Sequence, residues 1–215
     1  MTDRFLFMGG DKRISYAMQV ISDHYPADKI GAGGVYLEPV GRYDRIVLPF
    51  PFSRNGTDIT APLSDIPLPL TAVSLYAAEK AVIFSGGTNA ALEHLCREYG
   101  FTLINYAADE ALTLKNAALT AEAAAAILID NTDYSLYGAD VLIIGGGRIA
   151  ECMARLLKAF GSNVTVCARN SARLARAELL GCRAEQLCIL DDILPRYDAV
   201  INTAPADIFT KERYK

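Results

Sequence analysis

The sequence predicts an α/β protein made of two parallel-sheet domains. Three observations carry that prediction. Apolar strand-like runs alternate with helical stretches along most of the 215 residues. A glycine-rich turn joins a wholly apolar strand to a helix at residues 141–150. A long alanine-rich stretch without Gly or Pro, Leu112 to Asp130, divides the chain.

The bulk properties fit this class and narrow the functions. A chain of 215 residues suffices for one large domain or two small ones, and 52% hydrophobic with 21% charged residues is ordinary globular composition. A net charge of -4 gives no reason to expect nucleic acid or an anionic membrane as partner. The five cysteines are scattered and never spaced Cys-x-x-Cys, which argues against a disulfide framework or a zinc site and for the cytoplasm. The early run Phe5 to Met8 is too short for the apolar core of a secretion signal. Ala117 to Ile129, interrupted by Glu122, is too short to span a bilayer.

The elements follow in order. Arg4 to Met8 reads as a buried strand, Gly9-Gly10-Asp11 as the turn that ends it, and Ile14 to Ser22 as a helix. Ile46 to Leu48 is a short strand, followed by an irregular, proline-dense segment from Pro49 to Pro69 of the kind that often forms a functional loop. Ala81 to Phe84 is a strand ending in Ser85-Gly86-Gly87-Thr88, then a helix to Tyr99 and a strand from Phe101 to Tyr106. These form a flavodoxin-like or Rossmann-like parallel-sheet domain over residues 1–115, and residues 116–136 read as an interdomain helix and linker. The second domain, 137–215, runs strand (Val141 to Ile144), helix (Ile149 to Phe160), strand (Val164 to Ala168), helix (Ala172 to Leu180), a weak segment at Cys188 to Leu190, and strand (Ala199 to Ile201). It reads as a partial, truncated Rossmann dinucleotide-binding domain, because a complete one has two further strands with their helices.

The chemistry concentrates in that second domain. Gly145-Gly146-Gly147-Arg148-Ile149-Ala150 matches G-x-G-x-x-A after an apolar strand and before a helix, the context the motif requires. Gly145 permits the tight turn, Gly147 lets the backbone approach a pyrophosphate, and Ala150 lets helix and strand pack closely, with Arg148 and Ile149 opening the helix. The alternative is a glycine-rich turn with no ligand. At the end of the next strand, where an NAD-preferring site places Asp or Glu, the chain has Arg169-Asn170-Ser171 with Arg173 close behind. A guanidinium suits a 2′-phosphate, so NADP(H) is favoured over NAD(H), unless Arg169 is only a solvated loop residue. Ser171 could add a hydroxyl to that phosphate and also cap the following helix. Asn202-Thr203-Ala204-Pro205 follows the last strand and is expected on the nicotinamide side, or as an ordinary polar turn. No catalytic residue stands out: His24 and His94 fall in predicted helices, and no metal-ligand cluster or Ser-His-Asp pattern is visible. The strand-end turns at Asp11 and at Ser85, Gly86 and Thr88 are the candidates for holding a small anionic substrate.

Taken together these motifs resemble the A-subunit family of dipicolinate synthase. The resemblance rests on Gly9-Gly10-Asp11, Ile46-Val47-Leu48-Pro49 and Val82-Ile83-Phe84-Ser85-Gly86 in the first domain. It continues through Asn116, Thr120 and Glu122, then Thr132-Asp133-Tyr134, Gly145-x-Gly147-Arg148, Leu156 to Val166, Ala168 to Ala172 and Ile201 to Pro205. It implies an NADP-linked oxidoreductase that oxidises a dihydro- or hydroxytetrahydro-dipicolinate to the aromatic dicarboxylate during sporulation, in a cleft between the domains. The same resemblance implies a partner, the flavoprotein-like B subunit, and leaves a homo-oligomer open. Asn116, Thr120 and Glu122 become substrate candidates on the same ground. Two departures stand out: Leu119 where the family has proline, and an end reached before the sheet is complete, so a shortened member is expected. Two alternatives remain: a 2-hydroxyacid dehydrogenase-like enzyme, or a truncated non-catalytic protein that binds a dinucleotide or a partner.

Overall fold

The computed structural model of the chain describes residues 3–31, 42–205 and 208–209. The chain divides into two compact units, Met1–Leu112 and Thr113–Lys215.

The first unit contains β1 (Phe5–Met8), α1 (Lys12–Ser22), β2 (Ala27–Ile30), β3 (Tyr43–Val47), a small antiparallel hairpin of β4 (Asp58–Ile59) and β5 (Leu68–Pro69), α2 (Ala72–Tyr76), β6 (Ala77–Ser85), α3 (Ala90–Tyr99) and β7 (Thr102–Asn105). Its sheet is parallel throughout, in the order β2-β1-β3-β6-β7. Renumbered along the sheet this is 2-1-3-4-5, the flavodoxin-like winding, whose switch point lies between β1 and β3. Leu6, Met8, Ile46, Leu48 and Ile83 are fully buried at its centre, as central strands covered on both faces require. Asp11 caps α1 by accepting from the Arg13 amide, and Asn89 caps α3 by accepting from the Leu92 amide.

The second unit takes up α4 (Glu110–Asp130) from Thr113 onward, then β8 (Asp140–Ile144), α5 (Arg148–Ala159), β9 (Asn163–Ala168), α6 (Ser171–Leu179), β10 (Arg183–Gln186), α7 (Leu190–Ile193) and β11 (Ala199–Asn202). Its described strands are all parallel, in the order β10-β9-β8-β11. That is 3-2-1-4, the first four places of the six-strand Rossmann order. Val141 to Ile144 are wholly buried, because β8 has a strand on each side and helices on both faces. α5 turns Ala150, Met153, Ala154 and Leu157 inward at helical spacing, onto Val164 and Val166 of β9.

Four features differ from the expectations. The segment from Pro49 to Pro69, expected to be irregular, carries the β4–β5 hairpin. β2 and β10 are strands that the sequence does not announce: both are polar edge strands, Ala-Asp-Lys-Ile and Arg-Ala-Glu-Gln, with little deep burial. The weak segment near Cys188, left without an assigned type, is a short helical turn leading into α7. α4, at 21 residues, is long and apolar enough to cross a membrane by length and composition, contrary to the shorter stretch read from the sequence. Its small side chains Ala121 and Ala125 pack in the second unit's core, while Leu119, Ile127 and Ile129 on the same helix are exposed.

Leu142→Ala should cost about 3 kcal/mol, since its cavity would open at the centre of the sheet. A drop in the second unit's melting temperature of well over 5 °C in calorimetry is the expected outcome, with roughly 4–8 °C per kcal/mol for a unit of this size.

Candidate functional site

The glycine turn at 145–147 is shaped by its neighbours on both sides. The Gly145 amide donates to the Cys167 carbonyl of β9 at 2.9 Å, and the Thr203 amide and hydroxyl both donate to the Ile144 carbonyl at 2.8 and 2.9 Å. Gly145 has φ +105°, and a Cβ there would come within 2.5 Å of the Thr203 hydroxyl oxygen. Its glycine is thus demanded by the fold itself. Gly146 is covered by the aliphatic stem of Arg173: a Cβ would meet the Arg173 Cβ at 2.7 Å.

Gly147 differs from both. Its φ is -89°, a conformation any residue adopts, and a Cβ there would meet nothing within 4 Å. Neither backbone strain nor packing asks for glycine, yet glycine keeps the space before α5 clear. No side chain caps α5, for which Gly147 is the N-cap. An uncapped helix N-terminus behind an open glycine is what a pyrophosphate needs. The residues therefore fit a dinucleotide.

The remaining second-unit candidates surround this turn. β8 and β11 are adjacent, β9 lies beyond β8, and the switch point of the sheet falls between β8 and β11. The loops that meet there are 145–147 and 202–205, joined through Thr203. Asn202 accepts from the Ala204 amide at 2.9 Å, which curls the loop, and Asn202 and Pro205 are exposed. At the end of β9, Arg169, Asn170, Ser171 and Arg173 are all exposed. The cap of α6 is Asn170, which accepts from the Arg173 amide at 3.2 Å; Ser171 is the first helical residue, correcting the assignment of the cap to Ser171. The Ser171 hydroxyl is therefore not spent on capping. Arg148 is exposed at the start of α5, Ile149 is half-buried, and Ala150 is buried against the sheet.

In the first unit, the ends of β1, β3 and β6 come together. A Cβ on Gly86 would lie 2.2 Å from the Pro49 carbonyl oxygen, so the β3 and β6 loops touch directly. The Ser85 hydroxyl is buried and donates to the Gly87 carbonyl at 2.6 Å, which shapes its own turn; Thr88 is exposed. Asp11 is held by Arg13, whose Nε donates to Oδ1 at 3.0 Å and whose Nη2 donates to Oδ2 at 2.9 Å. The same Nη2 donates to the Phe50 carbonyl at 3.0 Å. The sequence does not single out Arg13 as a site residue, although its place two residues after the capping Asp11 is visible there. Hydrogen bonds from Arg13 hold the Asp11 carboxyl below its usual range, and the same contact raises the guanidinium. The Tyr106 hydroxyl donates to the Leu48 carbonyl at 2.7 Å, and burial pushes it up to about 12, so it stays neutral.

The other sequence candidates stand apart. Asn116, Thr120 and Glu122 lie on α4, in the second unit; the Thr120 hydroxyl donates to the Asn116 carbonyl and Glu122 is exposed. His94 is exposed on α3, 3.8 Å from Glu98, and His24 lies in the turn after α1 rather than inside the helix. Burial raises the thiols of Cys96 and Cys167 to about 11. Cys188 is exposed.

The fold and the turn define the class: a Rossmann domain of the nicotinamide-dinucleotide type. Residues 111–214 match the D-isomer specific 2-hydroxyacid dehydrogenase, NAD binding domain, and residues 36–107 match the N-terminal domain of the dipicolinate synthase A subunit. The chain is thus similar to the dipicolinate synthase A subunits over most of its length. It is 30% identical to the family's member from Bacillus subtilis (strain 168) over 174 residues, which is 80% of this chain and 59% of that protein. The crystal structure of the B. subtilis dipicolinate synthase protein superposes with a TM-score of 0.72 at 25% identity, covering 99% of this chain and 76% of that one. The Bacillus halodurans member shares the fold, with a TM-score of 0.74 at 24% identity over 95% of this chain and 75% of that one. D-lactate dehydrogenase from Escherichia coli has the same fold at a TM-score of 0.55 and 18% identity, over 97% of this chain and 66% of that one.

Two outcomes test the glycine turn. Gly145→Ala should destabilise the second unit by about 2 kcal/mol or more, through φ strain and the Thr203 clash. Gly147→Ala should leave the melting temperature nearly unchanged while weakening dinucleotide binding. In the first unit, Asp11→Asn isolates the charge, because Asn caps a helix as well as Asp does. With the folded-state value below the usual one, the pair's stabilisation is present above the ordinary Asp range and is lost as pH falls through the folded value. Asp11→Asn should thus melt slightly lower than wild type at neutral pH, by under about 1 kcal/mol for so exposed a pair, and equal to it in strong acid.

Proposed function

We propose that the chain is the NADP-linked dehydrogenase-type component of a cytoplasmic dipicolinate synthase, acting on a dihydro- or hydroxytetrahydro-dipicolinate in sporulation. The observation that carries the dinucleotide part is Gly147, a glycine kept where neither φ nor packing requires one. Similarity to the dipicolinate synthase A subunits supports the substrate. The chain spans 59% of the length of its B. subtilis relative, and the activity of the whole relative is transferred here as a proposal.

The residues then have distinct tasks. Gly145 and Gly147 shape the turn, and Gly147 with the first turn of α5, Arg148 to Ala150, receives the pyrophosphate. Arg169, Ser171 and Arg173 hold the 2′-phosphate: two guanidiniums and a hydroxyl at the end of β9, with no carboxylate at 169–173 to favour a bare ribose. The Gly146–Arg173 contact fixes the Arg173 stem beside the turn. Asn202, Thr203, Ala204 and Pro205 border the nicotinamide side. Ser85, Gly86 and Thr88, with Asp11 acting through Arg13, are the proposed substrate-side residues of the first unit, and Asn116, Thr120 and Glu122 are those carried by α4 in the second. A bound NADP+ would supply the two-electron oxidant for aromatisation, in which the dihydro ring gives up a hydride and a proton, the hydroxytetrahydro form also losing water. The proposed partner is a flavoprotein-like B subunit, and the proposal accommodates a homo-oligomer.

The match of residues 111–214 to the 2-hydroxyacid dehydrogenases supports a second reading, a 2-hydroxyacid oxidation. Those enzymes pair a histidine with a carboxylate in the cleft. Here His94 is exposed on α3 with Glu98 3.8 Å away, an i,i+4 pair on one helix, and His24 lies in the turn after α1.

Incubation of the purified chain and its flavoprotein-like partner with the precursor and NADP+ should yield dipicolinate, read by its ultraviolet absorbance. Turnover of 2-hydroxyacids with none of the dihydrodipicolinate would favour the second reading. Arg169→Asp should reverse the cofactor preference, weakening NADPH roughly tenfold or more, as loss of a charge-assisted contact implies; an unchanged NADPH affinity would contradict the phosphate assignment.

A further inference from the structure

The polar groups at the strand ends of the first unit are mostly engaged with the fold. The Asp11 carboxylate caps α1 and accepts from Arg13, the Ser85 hydroxyl is buried on Gly87, and the side chains of Asn89 and Asn105 accept from amides of their own turns. What these groups present to a ligand is little. Arg13 is different in kind. Its side chain is 59% exposed, and its guanidinium sits over the place where the β1 and β3 loops diverge. It is bonded to Asp11 after β1 and to the Phe50 carbonyl after β3. That is the switch point of a 2-1-3-4-5 sheet, the crevice where open α/β sheets take their ligands.

We infer that Arg13 anchors a carboxylate of the substrate in the first unit, and that Asp11 is its internal competitor rather than a substrate contact. The bond to the Phe50 carbonyl, which an arriving carboxylate leaves in place, keeps the guanidinium at the crevice while the bonds to Asp11 are exchanged. Arginine is the side chain whose planar fork matches a carboxylate in two places. Lys12, the exposed residue before it in α1, adds a second positive charge to this end of the helix. An arriving carboxylate takes up guanidinium donors now turned to Asp11, while Asp11 keeps its bond to the Arg13 amide and continues to cap α1. The identity of the ligand as a pyridine dicarboxylate rests on the proposed function. The role of Arg13 as a carboxylate anchor does not.

The test is calorimetric binding of dipicolinate, picolinate and malonate to the full chain, with melting temperatures recorded for every variant. Wild type should bind the dicarboxylates more tightly than picolinate. Arg13→Gln should weaken dicarboxylate binding at least about tenfold, Arg13→Lys less, and Asp11→Asn should tighten it several-fold by removing the competitor. NADPH binding should be the same in all four proteins. Should Arg13→Gln fold poorly, Arg13→Lys and Asp11→Asn still decide the matter, since a purely structural pair would lower stability in both and leave affinity unchanged. Equal affinities in wild type, Arg13→Lys and Asp11→Asn would overturn the inference, as would no binding of any carboxylate by wild type. Arg13-dependent binding of malonate without binding of dipicolinate would leave the anchor standing and sink the dipicolinate reading.

Discussion

The second unit depends on how β8 ends. Its last carbonyl, on Ile144, is taken by both the amide and the hydroxyl of Thr203, and the following amide, on Gly145, is taken by β9. The chain must turn at once, at a positive φ, with Thr203 pressed against the bare Cα of Gly145. From that constraint the rest follows. The turn is aimed into the divide between β8 and β11, α5 starts directly behind it, and the loop at 202–205 is tied to the same point. One glycine serves the fold, and the next but one, Gly147, leaves the space before α5 open.

Both units use the same geometric device. Each has a parallel sheet whose strand order reverses beside its first strand, and each brings two loops together at that reversal. The loops differ in what they leave available. In the second unit an uncapped helix start and an open glycine face outward, and three arginines, Arg148, Arg169 and Arg173, are exposed around the ends of β8 and β9. In the first unit the loops are internally satisfied, with Gly86 packed on Pro49 and Asp11 on Arg13. A basic, open mouth suits a long polyanionic cofactor, whereas a tightly knit edge with one oriented guanidinium suits a small carboxylate.

The parts of this arrangement that can be read in the sequence are those where burial and backbone geometry act together. Val141 to Ile144 followed by three glycines admits almost no other interpretation, because only a strand covered on both faces is apolar at every position. The edge strands are illegible for the opposite reason. β2 and β10 are held by main-chain pairing to a neighbour, which leaves no trace in side-chain type. The hairpin of β4 and β5 is hidden within the proline-dense segment, and Pro69 itself belongs to it. Capping is legible in kind but not in register: Asn170 and Ser171 are adjacent and either can cap, and the backbone selects Asn170. Asp11 is legible as a strand-end acid, yet its partner Arg13 is not, because a pairing that also reaches Phe50, 37 residues on, cannot be seen in a local pattern.

The central claim is that the second unit is a working nicotinamide-dinucleotide site with a preference for the 2′-phosphate. Titration of the purified 215-residue chain with NADPH and with NADH, followed by reduced-nicotinamide fluorescence, tests it directly, and the absence of Trp removes one background signal. The account predicts saturable binding of both, with NADPH at least about tenfold tighter. Binding of neither, in a protein that melts cooperatively, would contradict it.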